Sequence, residues 1–123
     1  MSRWKSTDEE LRNWFDTFNQ KYFGNGLPKE TSVVWKKPYV EGLGAEFIPL
    51  RRTDGWWHLL VLLNPVLMKI GAENYAMQSL LHEMCHLSLW ARGKRRQQYS
   101  GHGYLFQKEM KRLVNLGAFQ HIW

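Results

Sequence analysis

The chain has 123 residues, 17 Lys and Arg against 11 Asp and Glu, a formal charge of +6 and a pI near 9.6. That length suits one ordinary domain with a real core and no need of disulfide staples, and seven Trp, six Phe and five Tyr exclude a disordered tail. The lone Cys85 excludes an internal disulfide or a cysteine-built zinc site, no apolar run approaches the roughly 20 residues of a membrane span, and the basic balance favours a polyanionic partner, nucleic acid first.

Met1 to Ser6 leads into a charged helix and not into an apolar signal core, which with the cysteine usage places the chain inside the cell, in the cytoplasm or at the nucleoid. The first helix runs from about Thr7 to Tyr22. Thr7 and Glu10 supply an N-cap and its capping-box partner, and Leu11, Trp14, Phe15, Phe18 and Tyr22 form a buried stripe. Gly24-Asn25-Gly26-Leu27-Pro28 ends that helix and turns the chain.

Three strands follow, at Thr31–Lys36, Leu43–Ile48 and Trp56–Leu63, the last opened by the turn signal Thr53-Asp54-Gly55 and closed by Asn64-Pro65. Short connections predict a small three-stranded sheet, mainly antiparallel or mixed. A second long helix spans about Glu73 to Arg92, with Leu80, Met84, Leu87 and Ala91 on its core side. A basic loop, Arg92-Gly93-Lys94-Arg95-Arg96, ends it. The last helix begins near Gly103, carries Phe106, Met110, Leu113 and Val114 as its apolar stripe, and stops at Gly117.

The second long helix contains His82-Glu83-Met84-Cys85-His86, of the form His-Glu-x-x-His. Residues four apart on a helix sit about 40° apart on its surface, one turn along, so two imidazoles can meet on one metal ion. Glu83 lies about 60° round from His86, able to reach water at the metal without ligating it. A catalytic zinc takes three protein ligands and keeps an open position. A further His at the spacing His-x-x-Gly-x-x-His fails here, because those positions hold Leu89 and Arg92. Two candidates for the third ligand remain: His102, between Gly101 and Gly103, which the spacing favours, and Glu109 on the last helix. His58 reads as a packed or surface strand residue, His121 as exposed, and Cys85 as a small buried hydrophobe.

Three segments together resemble the SprT-like zinc metallopeptidase domain, related to the Spartan DNA–protein crosslink protease. They are Phe18 to Pro28, Leu80 to His86, and Gly101-His102-Gly103-Tyr104-Leu105-Phe106 with Met110, and the likeness runs from about Trp14 to Leu116. The resemblance implies a compact α+β zincin-like domain over residues 1–123, one zinc ion held by His82, His86 and His102, and Glu83 as the catalytic carboxylate. It also implies a protein substrate bound on DNA or crosslinked to it. The cysteine ribbon and recruitment segments of larger relatives have no counterpart in this sequence.

These readings predict a zinc endopeptidase. Tyr99 or Tyr104, near the third ligand, is a candidate donor to the oxyanion. Arg92, Lys94, Arg95 and Arg96 fall between the second and third ligand segments and are candidate contacts to single-stranded or distorted DNA near the cleft, with Lys36-Lys37 and Arg51-Arg52 adding charge. Trp56, Trp57 and Trp90 are candidates for stacking on unpaired bases. The alternatives are a zinc peptidase with an unrelated protein substrate and a non-enzymatic DNA-binding module with a structural metal, against which Glu83 argues. The chain is read as a monomer with no membrane partner.

Overall fold

A computed structural model of the chain describes residues 5–69, 73–94 and 102–119. Helix α1 covers Asp8–Phe23, and Thr7 caps it as its sequence predicts, its side chain accepting the Glu10 backbone N–H. Leu11, Phe15, Phe18 and Tyr22 bury along one face, while Trp14 packs against the core only in part. Gly24 takes a left-handed conformation (φ 58°) and closes the helix. Asn19, a polar residue on the buried side, is 2 % exposed. Its Oδ1 accepts the Leu27 N–H (3.0 Å) and its Nδ2 donates to the Leu27 carbonyl (3.3 Å), which pins the Gly24–Pro28 turn to the helix.

The strands are β1 (Ser32–Trp35), β2 (Ala45–Arg51) and β3 (Trp57–Leu63), in the order β1-β3-β2. β3 pairs antiparallel with β2 and parallel with β1, so the sheet is mixed. The second strand lies later in the chain than the window Leu43–Ile48. Leu43 is outside it and 39 % exposed, and the strand continues through Pro49, which an edge strand tolerates because its outward position needs no ladder N–H. Val33, Phe47, Leu59, Val61 and Leu63 share one sheet face and enter the core. Asn64-Pro65 does more than end β3: Asn64 Oδ1 accepts the Val66 N–H (3.0 Å) and starts a short helix α2, Val66–Lys69, with Pro65 at its entrance.

Helix α3 (Glu73–Ala91) lies across β2 and β3, and α4 (Tyr104–Asn115) packs on α3. The expected core side of α3 is there, with Leu80, Met84 and Leu87 fully buried, but Ala91 is exposed at the helix end. Burial also reaches round to Leu81, Cys85, Leu89 and Trp90, because the helix is enclosed by sheet and α4 together. On α4, Phe106 and Leu113 are buried, Met110 is half-buried and Val114 is 56 % exposed, so the stripe is narrower than its apolar sequence. Among the described residues no helix is long and apolar enough to cross a membrane.

Candidate metal centre

Helix α3 carries His82 and His86 one turn apart, and the chain returns to them at His102, two residues before α4. A ligand nitrogen from each of the three lies within 4.8 Å of the others. His82 Nε2 and His102 Nε2 face each other at 3.1 Å. Phe106 forms the floor, its ring centroid 4.4 Å from that of His86, 4.5 Å from His102 and 4.9 Å from His82. The sequence shows Phe106 only as one more apolar position of α4; that it would lie under the histidines depends on how α4 meets α3. Gln107 Nε2 donates to the His102 carbonyl (3.0 Å) and holds the backbone there.

This setting favours neutral imidazoles. Burial, then the charge His102 would carry, pushes His82 down to about 4, and burial with His82 and His102 does the same to His86. Neutral rings offer lone pairs, and the buried Nδ1 of His86 has no hydrogen-bond partner among the described residues. Three imidazole nitrogens converging over an apolar floor fit the donor set of a zinc site with an open position.

Glu83 stands beside this cluster without joining it. Its Oε2 is 4.0 Å from His82 Nε2, and the residue is 7 % exposed. Burial raises its carboxyl to about 7; the Phe47 backbone N–H, which donates to it from β2, works in the opposite direction, and Glu46 adds a smaller upward push. A carboxyl raised toward neutrality by burial beside this cluster has the property a general base needs.

Glu109 is elsewhere. It accepts from Ser88 Oγ (2.7 Å), Arg112 Nε (2.6 Å) and Arg92 (3.4 Å), 5 % exposed between α3 and α4. Burial alone would raise its carboxyl, but the Arg112 and Ser88 hydrogen bonds and the two arginine charges outweigh that and hold it below the ordinary glutamate range. It is committed to its own network and stands outside the histidine group.

Two clefts separate what the sequence placed together. One of about 230 Å³ opens at His82 and Glu83. Arg92 lines another, of about 340 Å³, between the end of α1 and helices α3 and α4. Lys94 is exposed beyond the end of α3. Arg95, Arg96, Tyr99 and His121 lie outside the described residues. Tyr104 is 75 % exposed at the start of α4. His58 is exposed on β3, bonded to Ser32 Oγ (2.9 Å), away from the histidine cluster. Cys85 is fully buried with its Sγ 3.4 Å from Met110 Sδ, and burial pushes its thiol well above the usual range, so it is inert. Of the stacking candidates, Trp90 is 7 % exposed and packs edge-on to Phe47 and Trp57, so it offers no face to a base. Trp57 lies between Trp90 and Arg51. Trp56 is 73 % exposed.

The family model described as SprT-like matches residues 11–121, nearly the whole chain. No curated protein and no solved structure matches it.

Proposed function

The chain belongs to the SprT-like family, and we propose from this that it is a zinc endopeptidase in which His82, His86 and His102 hold one ion and Glu83 is the catalytic carboxylate. The observation that carries the reading is the Glu83 carboxylate standing 4.0 Å from a ligand-type nitrogen of a three-histidine cluster. Zinc, when bound, supplies Lewis acidity toward a substrate carbonyl and lowers the pKa of water. Glu83 accepts the proton of the attacking water and returns it to the leaving amine. The Phe47 N–H aims the carboxylate, and the rings of Phe106 and the histidines keep solvent from the underside. Such proton transfer contributes about 10²–10⁴-fold. Glu83→Gln should therefore retain zinc by metal analysis and lose peptide hydrolysis by that factor, and unchanged turnover would sink the role given to Glu83.

The substrate in this reading is protein bound on DNA or crosslinked to it. The charge of +6, the exposed Trp56, and Arg51 and Arg52 in the same β2–β3 hairpin support contact with unpaired DNA, as do Lys94 and the arginines that follow it. Arg92 is engaged by Glu109 and lines a different cleft, which favours as second reading a zinc peptidase whose substrate is not delivered by DNA. Hydrolysis of a DNA-crosslinked protein, measured with and without single-stranded DNA and across salt, separates them. DNA delivery predicts stimulation that fades steeply between low and moderate salt.

A further inference from the structure

We propose that the cleft between the approach to β2 and the first turns of α3 is the subsite for one substrate side chain, and that it takes a large uncharged side chain, aromatic first. The proposal rests on the peptidase reading of His82 and Glu83 and adds what the substrate must look like beside the cut.

The cleft holds about 230 Å³ and is lined by Gly44, Tyr75, Gln78, Ser79, His82 and Glu83, among others. Tyr75, Gln78, Ser79 and His82 stand at i, i+3, i+4 and i+7, so one stripe of α3 forms a wall that runs directly into the histidine cluster. The opposite wall is anchored backbone. The Gly44 carbonyl accepts the Asn64 N–H (2.8 Å), and Asn64 Nδ2 donates to the Leu43 carbonyl (3.3 Å). The volume is below the roughly 300–1,000 Å³ of small-molecule sites, which suits a single side chain.

Gly44 controls the width. Its backbone is not left-handed, so nothing in its conformation demands glycine. A Cβ there would point across the gap, 3.8 Å from Tyr75 Cε1 and 4.0 Å from Leu67 Cδ2, both ordinary contacts. A Cβ at position 44 is compatible with the fold and would narrow the cleft, so the missing side chain keeps the space open. The lining chemistry sets the rest. The charged partner a substrate side chain could find there is Glu83, already committed to proton transfer, while Gln78 and Ser79 are neutral and Tyr75 presents a ring.

The test uses the zinc-loaded full chain and peptides that differ at one position flanking the cut, bearing Phe, Ala, Asp or Lys. Wild type should prefer Phe over Ala by roughly tenfold, the lower end of the discrimination that filling a side-chain pocket gives. Gly44→Val should collapse that ratio toward unity, and Tyr75→Ala should weaken it. A second arm needs no turnover: N-acetylphenylalanine amide, and not N-acetylglycine amide, should shift the backbone NMR signals of Gly44, Gln78 and Ser79 in wild type and not in folded Gly44→Val. Hydrolysis whose Phe-to-Ala ratio ignores both substitutions overturns the subsite and leaves the peptidase standing. Ligand-induced shifts in a protein that cuts nothing uphold the subsite and reject the peptidase reading. Absence of shifts from the aromatic amide at saturating concentration also overturns the subsite.

Discussion

Glu109 illustrates how much a single buried carboxylate needs around it. Ser88, Arg112 and Arg92 satisfy it from three directions, and these bonds make it a structural residue of the α3–α4 contact while His102 takes the place beside His82. Both residues are acceptable third ligands by type and by position after the motif, so only the packing of α4 separates them. The two substitutions should consequently behave differently. Glu109→Ala should keep its zinc and lose about 2–3 kcal/mol of stability in urea unfolding, less than the about 3–5 kcal/mol of a fully buried pair because both arginines are partly exposed. His102→Ala should stay folded and lose more zinc affinity than the about 10–100-fold that loss of an outer partner costs. Equal zinc binding by His102→Ala and wild type would return the third ligand to open competition. The pH dependence follows from the direction of the Glu109 shift. Its carboxyl is held below the ordinary range in the folded chain, so its contribution is full above that range, shrinks as pH falls through it, and is gone once Glu109 is protonated in both states. Glu109→Gln should remove this acid-sensitive part, giving a flatter stability profile on the acid side than wild type.

At the scale of elements, the junction of α1 with its turn depends on Asn19. A lost side chain there leaves the Leu27 N–H and carbonyl buried without partners, so Asn19→Ala should cost about 1–3 kcal/mol by thermal or urea unfolding, whereas the exposed cap change Thr7→Ala should cost about 1 kcal/mol. A loss at Asn19 no greater than at Thr7 would contradict that account. The sequence shows Asn19 only as a polar interruption of an apolar stripe, because its partner is eight residues on and is backbone. The same limit applies elsewhere. α1, β3 and α3 are readable to within a residue or so, since caps, turn residues and periodicity coincide at their ends. β2 is not, because Leu43 continues the apolar pattern upstream while Pro49 argues against a strand that in fact runs through it. The parallel pairing of β1 with β3 has no local signal, being set by where residues 36–44 carry the chain. That His82, Glu83 and His86 stand together is readable in the sequence because about one helix turn contains them. Phe106 as floor, the Phe47 N–H on Glu83 and the Asn64 anchor behind Gly44 all depend on contacts between elements.

For the molecule as a whole, the histidine cluster spans the contact that completes the core. His82 and His86 come from the central helix and His102 from the segment that enters α4, so an ion held by all three joins α4 to the rest of the domain. Unfolding would separate His102 from the other two, and an ion bound only by the folded form stabilises by RT ln(1 + [L]/Kd), about 4 kcal/mol when free zinc is a thousandfold above Kd. For a domain of this size that corresponds to a rise in Tm on the order of 10–20 °C. Histidines kept neutral by burial carry little proton competition at pH 7, so the stabilisation should persist through neutral pH and fade in acid, as protons displace the ion from His82 and His86. Calorimetry with excess zinc and after chelation measures this directly. His102→Ala should shrink the zinc-dependent rise, whereas Glu83→Gln should leave it largely in place because Glu83 stands beside the nitrogen cluster and not within it. A Tm that ignores both zinc and chelator would show that α4 is held by Phe106, Leu113 and the Glu109 network alone, and would remove the metal from the account of both stability and catalysis.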